Sequence, residues 1–486
     1  MLNNIYYILP ELFLGTISIF MIGIGCFLTK YEGKVSQVKK FNYLTALTFI
    51  FTIIILLNIN TDHNILICND LLISNHNLVI IKIILLLSSS IVIILPNNIY
   101  EYEFSQLILL ATLGMMLLIS SNDLISLYLS IELISLSLYI LATIRINSQH
   151  STEAGLKYFL LGALTSGLLL FGMALLYTFT GETNLINLEN IIWYTQYDNQ
   201  IAFAVLFILV ALLFKLAAAP FHMWLPDVYE GSPTIVTAYF AIVPKIAILF
   251  TLINLTLNTF IALQAYIIPL YIATAIASLF VGAIGAINQA KMKRMISYSA
   301  ILNMGWMLIA FIPLSVNSVH ATFIYIILYI VMSINIFTLL LNFNQYNYIT
   351  QFSALSRYNP VLAYTFAFTL LSVAGIPPLA GFFSKYLVLY NTIQNEYWVL
   401  AGIAIITSAI STFYYLRIIK YIFFKHSQYF YYKHLNDIIY PLNNNINVSF
   451  ISSIVLGITT WIIITFFFFP DTILFTTFIS INECLI

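Results

Sequence analysis

The chain is 486 residues long, 61% apolar and only 7% charged, with 18 basic and 18 acidic residues and a net charge of zero. A soluble domain carries about 25% charge, so this composition, with its mean hydropathy of +0.98, excludes a water-soluble enzyme. It also offers no basic face for nucleic acid. The three cysteines, Cys26, Cys68 and Cys484, lie far apart with no CxxC spacing, which excludes the common iron–sulfur and zinc signatures.

Apolar runs of about 20 residues predict about fourteen transmembrane spans. The first seven lie near residues 5–28, 41–59, 78–95, 105–121, 123–144, 154–179 and 201–227. The others lie near 233–256, 262–287, 295–313, 318–342, 360–391, 397–424 and 448–470. The first runs on as a full span without a basic leader, so no cleavable signal is expected.

Basic residues test this order. The odd-numbered connections and their flanks hold Lys30, Lys34, Lys39, Lys40, Arg145, Lys291, Lys293, Arg294, Arg357, Arg417, Lys420, Lys425 and Lys433. The even connections and both tails hold only acids: Asp62, Asp70, Glu182, Glu189, Asp198, Glu396, Asp471 and Glu483. The positive-inside rule then places the odd loops on the matrix or cytoplasmic side and both termini opposite.

Five lysines fall outside this alternation. Lys82 and Lys157 lie near span ends, where a long side chain is expected to reach the interface. Lys215, Lys245 and Lys385 are deeper. By helical rise Glu132 is about 14 Å along its helix from Asp123, Lys215 about 21 Å from Ile201 and Lys245 about 18 Å from Pro233. In a hydrocarbon core about 30 Å thick these are central positions. Intramembrane charges cost a few kcal/mol or more and are functional candidates by default.

Two spans are overlong and broken. The seventh holds Lys215 and then Pro220 and Pro226; the twelfth breaks at Gly375-Ile376-Pro377-Pro378 before Lys385. Proline frees a backbone carbonyl, and such a break survives in a membrane only beside protein or a wet cavity. One broken helix in each half, running in opposed directions, is the pattern of inverted-repeat transporters. A buried ammonium loses proton affinity and a nearby carboxylate restores it. A Glu132–Lys215 pair that opens and closes is therefore a proton switch, and a row of such lysines, with hydroxyls between, is a relay. A fixed ion pair that orients helices is the competing reading for Glu132 and Lys215. His222 and His320 are secondary candidates for proton transfer. Trp224 and Tyr229 read as interfacial anchors, and Asp227 with Glu230 as a turn or cap.

The stretch FKLAAAPFHMWLPDVYEGSPTIVTAYFAIVPKIAIL resembles the signature region of the antiporter-like membrane subunits of NADH:ubiquinone oxidoreductase (respiratory complex I), subunit 2 branch, mitochondrial type. GIPPLAGFFSKYLVL in the twelfth span and Glu132 in the fifth extend the resemblance over essentially the whole chain. It implies an all-α polytopic fold with two inverted five-helix repeats. These would occupy residues 105–256 (spans 4–8) and 257–424 (spans 9–13), after an N-terminal three-helix segment 1–104. An inner loop and the fourteenth helix follow at 425–486. It also implies that Glu132 and Lys215 are the charged pair, Lys245 the central-axis lysine and Lys385 the lysine of the second broken helix. Such a subunit moves protons while NADH oxidation and ubiquinone reduction occur in other subunits, and holds no cofactor itself. Its partners would be other membrane-arm subunits, phospholipids and protons. Its place would be the mitochondrial inner membrane, multi-pass, both termini toward the intermembrane space. The Ile-, Asn- and Tyr-rich composition fits an organelle genome. Lys82 and the connection KHSQYFYYKHLNDIIYPLNNN match no functional motif of the family. The alternatives are the homologous subunit of a plastid or bacterial dehydrogenase, or a subunit of a multi-subunit sodium/proton antiporter.

Overall fold

A computed structural model describes residues 2–28, 34–59, 65–96, 99, 101–194, 199–343, 347–353, 355–424 and 448–470. Lys30, Asp62, Asp198, Lys425, Lys433, Asp471, Glu483, Cys484 and the connection from 425 lie outside these residues. The chain divides into two compact units, the first built from residues up to 273 and the second from residues 274–475.

The first unit begins with α1 (Leu2–Leu28), α2 (Lys34–Leu57) and α3 (His76–Ile94), followed by α4 (Glu103–Ser120) and α5 (Leu124–Ala142). Then come α6 (Gln149–Thr180), α7 (Leu185–Tyr194), α8 (Asn199–Leu216), α9 (Trp224–Gly231) and α10 (Thr234–Asn254). The helix α11 (Gln264–Ile287) crosses the boundary between the units. The second unit continues with α12 (Met292–Phe311), α13 (Val316–Asn342), the single turn α14 (Leu355–Tyr358), α15 (Pro360–Ala374), α16 (Ala380–Gln394), α17 (Trp398–Phe424) and α18 (Phe450–Thr465).

Among the described residues eleven helices are long and apolar enough to cross a membrane. The molecule is thus polytopic and helical, but its count of single-helix spans is lower than the fourteen apolar runs. Three runs differ for separate reasons. The twelfth is two 15-residue helices, α15 and α16, each too short by itself. The fourteenth is described only as the 16-residue α18. The tenth, α12, is diluted by Lys293, Arg294, Ser297, Ser299 and Asn303, yet is almost wholly buried in protein.

Helix ends follow local chemistry. Asp123 caps α5, accepting from the Ile125 N–H at 2.7 Å while its other oxygen accepts from the Thr183 hydroxyl at 2.7 Å. Ser315 caps α13 through a reciprocal pair with Ser318. Asn359 caps α15, with Pro360 at the first helical position, where the missing N–H costs nothing. One element has no counterpart in the apolar pattern. Ile65–Ile67 (β1) and Leu72–Ser74 (β2) form an antiparallel hairpin, and its Leu71 carbonyl accepts from the Asn122 N–H at 3.0 Å. Its turn residues Cys68, Asn69 and Asp70 have positive φ, a conformation Asn and Asp tolerate better than most.

Burial is uneven around the helices. Every residue of the apolar window of α10 is buried, against a third of that of α6. Within its unit α10 packs on α3, α4, α5, α8 and α9. A helix surrounded in this way can carry a charge that no lipid chain touches.

Lys82 corrects the snorkelling expectation. It is 4% exposed, and its ammonium pairs with the carboxylate of Glu11 on α1, itself 5% exposed. The second Glu11 oxygen, Oε2, is buried without a hydrogen-bond partner. Lys157 does reach toward the surface, but it is held between Glu153 at 2.8 Å and Asp227 at 2.9 Å. Breaking a buried ion pair from one side strands a charge, at about 3–5 kcal/mol, whereas replacing both partners by apolar residues is often neutral. Lys82→Ala is therefore expected to lower the yield of folded protein and its thermal midpoint. The double variant Glu11→Leu, Lys82→Met should restore both, as read by native electrophoresis and thermal unfolding in detergent.

Candidate functional site

The first break begins where Lys215 stands. The helix α8 ends at Leu216, one residue beyond it. Ala217 then adopts φ of 59°, a left-handed conformation that costs a non-glycine residue about 1–3 kcal/mol and persists only when the surroundings over-determine it. Here they do: the Ala217 N–H donates to the Phe214 carbonyl and the Ala218 N–H to the Leu213 carbonyl. The Trp224 indole N–H also donates to the Phe214 carbonyl, at 3.0 Å. The chain resumes as α9 and then turns through Ser232 and Pro233 into α10.

Trp224 and Tyr229 are 5% and 1% exposed, which corrects their reading as interfacial anchors. The Trp224 ring stacks on Tyr158 of α6 with centroids 4.8 Å apart and planes at 15°. Asp227, read as a turn or cap residue, makes the ion pair with Lys157 that joins α9 to α6.

A cavity of about 20 Å³ opens beside the break, lined by Lys215, Lys245, Ser135, Tyr158, Trp224 and Pro244 together with Phe240 and aliphatic side chains. A single water needs roughly 10–15 Å³ measured in the same way, and polar partners, so this space suits one. Two lysines from different helices therefore face one small space. Lys245 lies one residue after Pro244, inside α10; the proline removes one backbone donor from that helix where the lysine side chain departs. Lys245 is 5% exposed.

Glu132 and Lys215 are not in direct contact. The ion pairs closer than 4.0 Å among the described residues involve Lys82 and Lys157. Lys215 donates instead to the Tyr139 hydroxyl at 3.3 Å. Glu132 Oε2 accepts from the Ser135 hydroxyl at 3.2 Å, and its Oε1 is buried without a hydrogen-bond partner. A fixed ion pair between Glu132 and Lys215, one of the two readings of the sequence, is thus absent. Glu132 also falls on the outward stripe of α5, with Ile125, Leu129, Leu136 and Ile140, which are each more than half exposed.

Lys385 belongs to the second unit. The helix α15 ends at Gly375, whose φ of 87° is open to glycine at no steric cost. The break leaves the last carbonyls of α15 unpaired within the helix, and Lys385 from α16 supplies the donor. Its ammonium lies 2.8 Å from the Ala374 carbonyl and 3.0 Å from that of Val373, at the negative end of the helix dipole. The Trp306 ring lies 5.4 Å away. The break thus supplies a neutral cage for a cation buried to 6% exposure. Ser372 fastens the two halves, its hydroxyl oxygen accepting from the Gly381 N–H at 3.0 Å.

His222 is buried in the first break, and its Nδ1 has no hydrogen-bond partner. His320 is half-buried in the second turn of α13. Ser135 and Tyr139 were not singled out in the sequence. The signal was available in their spacing, Glu132, Ser135, Tyr139, which places all three on one face of a helix. Among the described residues no group of three or more His, Cys, Asp and Glu side chains is arranged to hold a metal.

Comparisons with known proteins bear on the family and the fold. The family model described as "NADH:quinone oxidoreductase/Mrp antiporter, TM" matches residues 121–411, more than half of the chain. The NADH-ubiquinone oxidoreductase chain 2 of Marchantia polymorpha is 37% identical over 488 residues, covering 96% of each chain. The NADH-quinone oxidoreductase subunit N of Pelagibacter ubique is also 37% identical, over 483 residues, covering 97% of this chain and 98% of the relative. Among solved structures, a chain of respiratory complex I from Thermus thermophilus with bound aureothin superposes with a TM-score of 0.77 at 26% identity. That match covers 96% of this chain and 98% of the other.

The aromatic wall of the cavity gives a direct test. Trp224→Ala removes a large buried ring and should cost about 3–5 kcal/mol. Trp224→Phe keeps a stacking surface but leaves the indole N–H bond unmade, at about 1–3 kcal/mol. The midpoint of thermal inactivation of the purified assembly should fall in that order.

Proposed function

Because the chain belongs to the NADH:quinone oxidoreductase/Mrp antiporter membrane-subunit family, as a complex I subunit of the subunit 2/N type, we propose that Glu132, Lys215, Lys245 and Lys385 carry its protons. It is a membrane-arm subunit of NADH:quinone oxidoreductase and takes part in proton translocation. The observation that carries the assignment is the single cavity faced by Lys215 and Lys245, with Ser135 linking it to Glu132. A water in that space would have both lysines and Ser135 as neighbours, and a lysine in low dielectric releases its proton more readily than one in water. Lys385 is the corresponding carrier of the second unit, its cation held by carbonyls that the helix break frees. His222 and His320 are secondary carriers at the margins.

The N-terminal segment 1–104 precedes two inverted repeats, 105–256 and 257–424, each with one broken helix, and 425–486 completes fourteen spans. The alternation of basic and acidic connections orients the chain with both termini toward the intermembrane space of the mitochondrial inner membrane. The mitochondrial type is favoured by the organelle-like composition. The chain carries no cofactor; NADH and ubiquinone act through other subunits, whose energy reaches these residues through the membrane arm. A neighbouring membrane subunit covers the outward stripe of α5, since a carboxylate facing hydrocarbon would be costly; phospholipid covers the remaining apolar faces. The sodium/proton antiporter alternative is set aside because identity over nearly the whole length runs to complex I subunits.

Lys215→Ala and Glu132→Ala are expected to leave the complex assembled while lowering proton-coupled quinone reduction about 10-fold or more, the scale of losing a positioned proton-transfer group. Turnover and proton pumping in membrane vesicles provide the measurement. An assembled Lys215→Ala complex with wild-type values of both would refute the assignment.

A further inference from the structure

We propose that the hydroxyls of Ser135 and Tyr139 form the proton bridge between Lys215 and Glu132, and that Gly162 leaves the phenol room to serve in it. This rests on the assignment of Glu132 and Lys215 as proton carriers and supplies the path that their separation requires.

The groups stand in order. The Lys215 ammonium donates to the Tyr139 hydroxyl at 3.3 Å. Tyr139 follows Ser135 by four residues on α5, the spacing that sets two side chains side by side on one face of a helix. The Ser135 hydroxyl donates to Glu132 Oε2 at 3.2 Å. Ser135 also borders the cavity shared by the two lysines, so a water there stands beside the same wire. An ordinary membrane serine turns its hydroxyl to the carbonyl one turn back, as Ser135 does to Glu132 at 3.1 Å. Its second contact, to the Glu132 carboxylate, is what that local bond does not explain.

Tyr139 is held for this task from several sides. Its ring meets Tyr158 edge-on with centroids 4.8 Å apart, and Phe159 at 5.7 Å. It is 7% exposed. The facing position on α6 is Gly162, where an added Cβ would fall 1.9 Å from the phenol oxygen and 2.5 Å from Cζ. Any side chain there would push the hydroxyl away from Lys215.

The transfer balances without any further reactant. With Lys215 as ammonium and Glu132 as carboxylate, an N–H bond of Lys215 breaks as an O–H bond forms on Tyr139. The phenol's original proton passes to Ser135 Oγ, and the serine's own proton forms the new O–H bond on Glu132 Oε2. Three bonds break and three form. The products are a neutral amine and a neutral carboxylic acid, and the hydroxyls rotate back to reset the wire. A pair of opposite charges is thereby erased or created without either side chain crossing the gap.

The test uses the assembled complex in sealed vesicles, reading quinone reduction and protons moved per quinone. Tyr139→Phe removes one oxygen and keeps the ring contacts; turnover is expected to fall about 10-fold or more, with a changed solvent deuterium isotope effect. Gly162→Ala should lower it similarly, because its Cβ would displace the phenol. Ser135→Ala keeps the test decisive should Tyr139→Phe fail to assemble. If Lys215→Ala is impaired while assembled Tyr139→Phe or Ser135→Ala keeps wild-type turnover and isotope effect, the bridge is overturned and the carriers stand. If Lys215→Ala is itself unimpaired, the carrier assignment fails instead.

Discussion

An ammonium buried in a hydrocarbon layer has to be given polar company by the protein, and the architecture around the lysines answers to that requirement. The cost is a few kcal/mol or more for each charge at mid-membrane. Two solutions occur in this chain. Lys385 is satisfied by main-chain oxygens at the end of α15. Lys215 is satisfied by a phenol, beside a water-sized space. Neither uses a carboxylate in direct contact, so neither lysine is locked in its charged form. By contrast Lys82, paired closely with Glu11, has the environment of a fixed structural charge.

The helix breaks follow from the same need. A continuous helix consumes its own carbonyls and has none to lend; interrupting it at Gly375 frees those of Val373 and Ala374 for the Lys385 ammonium, whereas the break after Leu216 hands its carbonyls to Ala217, Ala218 and Trp224 and leaves Lys215 to the phenol. The interruptions are kept in place by specific ties, Trp224 to Phe214 in one and Ser372 to Gly381 in the other. What looks like weakness in the secondary structure is thus a means of stabilising charge.

Much of this was legible in the sequence, and the limits have a physical origin. Prolines, glycines and deep lysines announce broken helices because their effects are local to the chain. Lys215 and Lys245 were singled out by counting residues along their runs, and Lys385 by the break that precedes it. The partners of Lys82 and Trp224 could not, because they lie on other helices. Glu11 is 71 residues from Lys82, and periodicity cannot distinguish a helix face toward lipid from one toward a neighbour when both are apolar. The hairpin β1–β2 was hidden because each of its strands is three residues long, too short to show a period of two. The separation of Glu132 from Lys215 depends on side-chain reach across two helices, which no spacing rule encodes.

The wholly enclosed position of α10 has a consequence for biogenesis. The helices of its unit that pack on it, α3, α4, α5, α8 and α9, all precede it in the chain. Vectorial synthesis therefore delivers the walls of the chamber before the pillar that stands in it. Lys245 leaves the translocon toward a furnished niche, and its charge is never offered for long to the fatty-acid interior. A circular permutation that moved α10 ahead of those helices would keep every native contact and still lose that protection during membrane insertion.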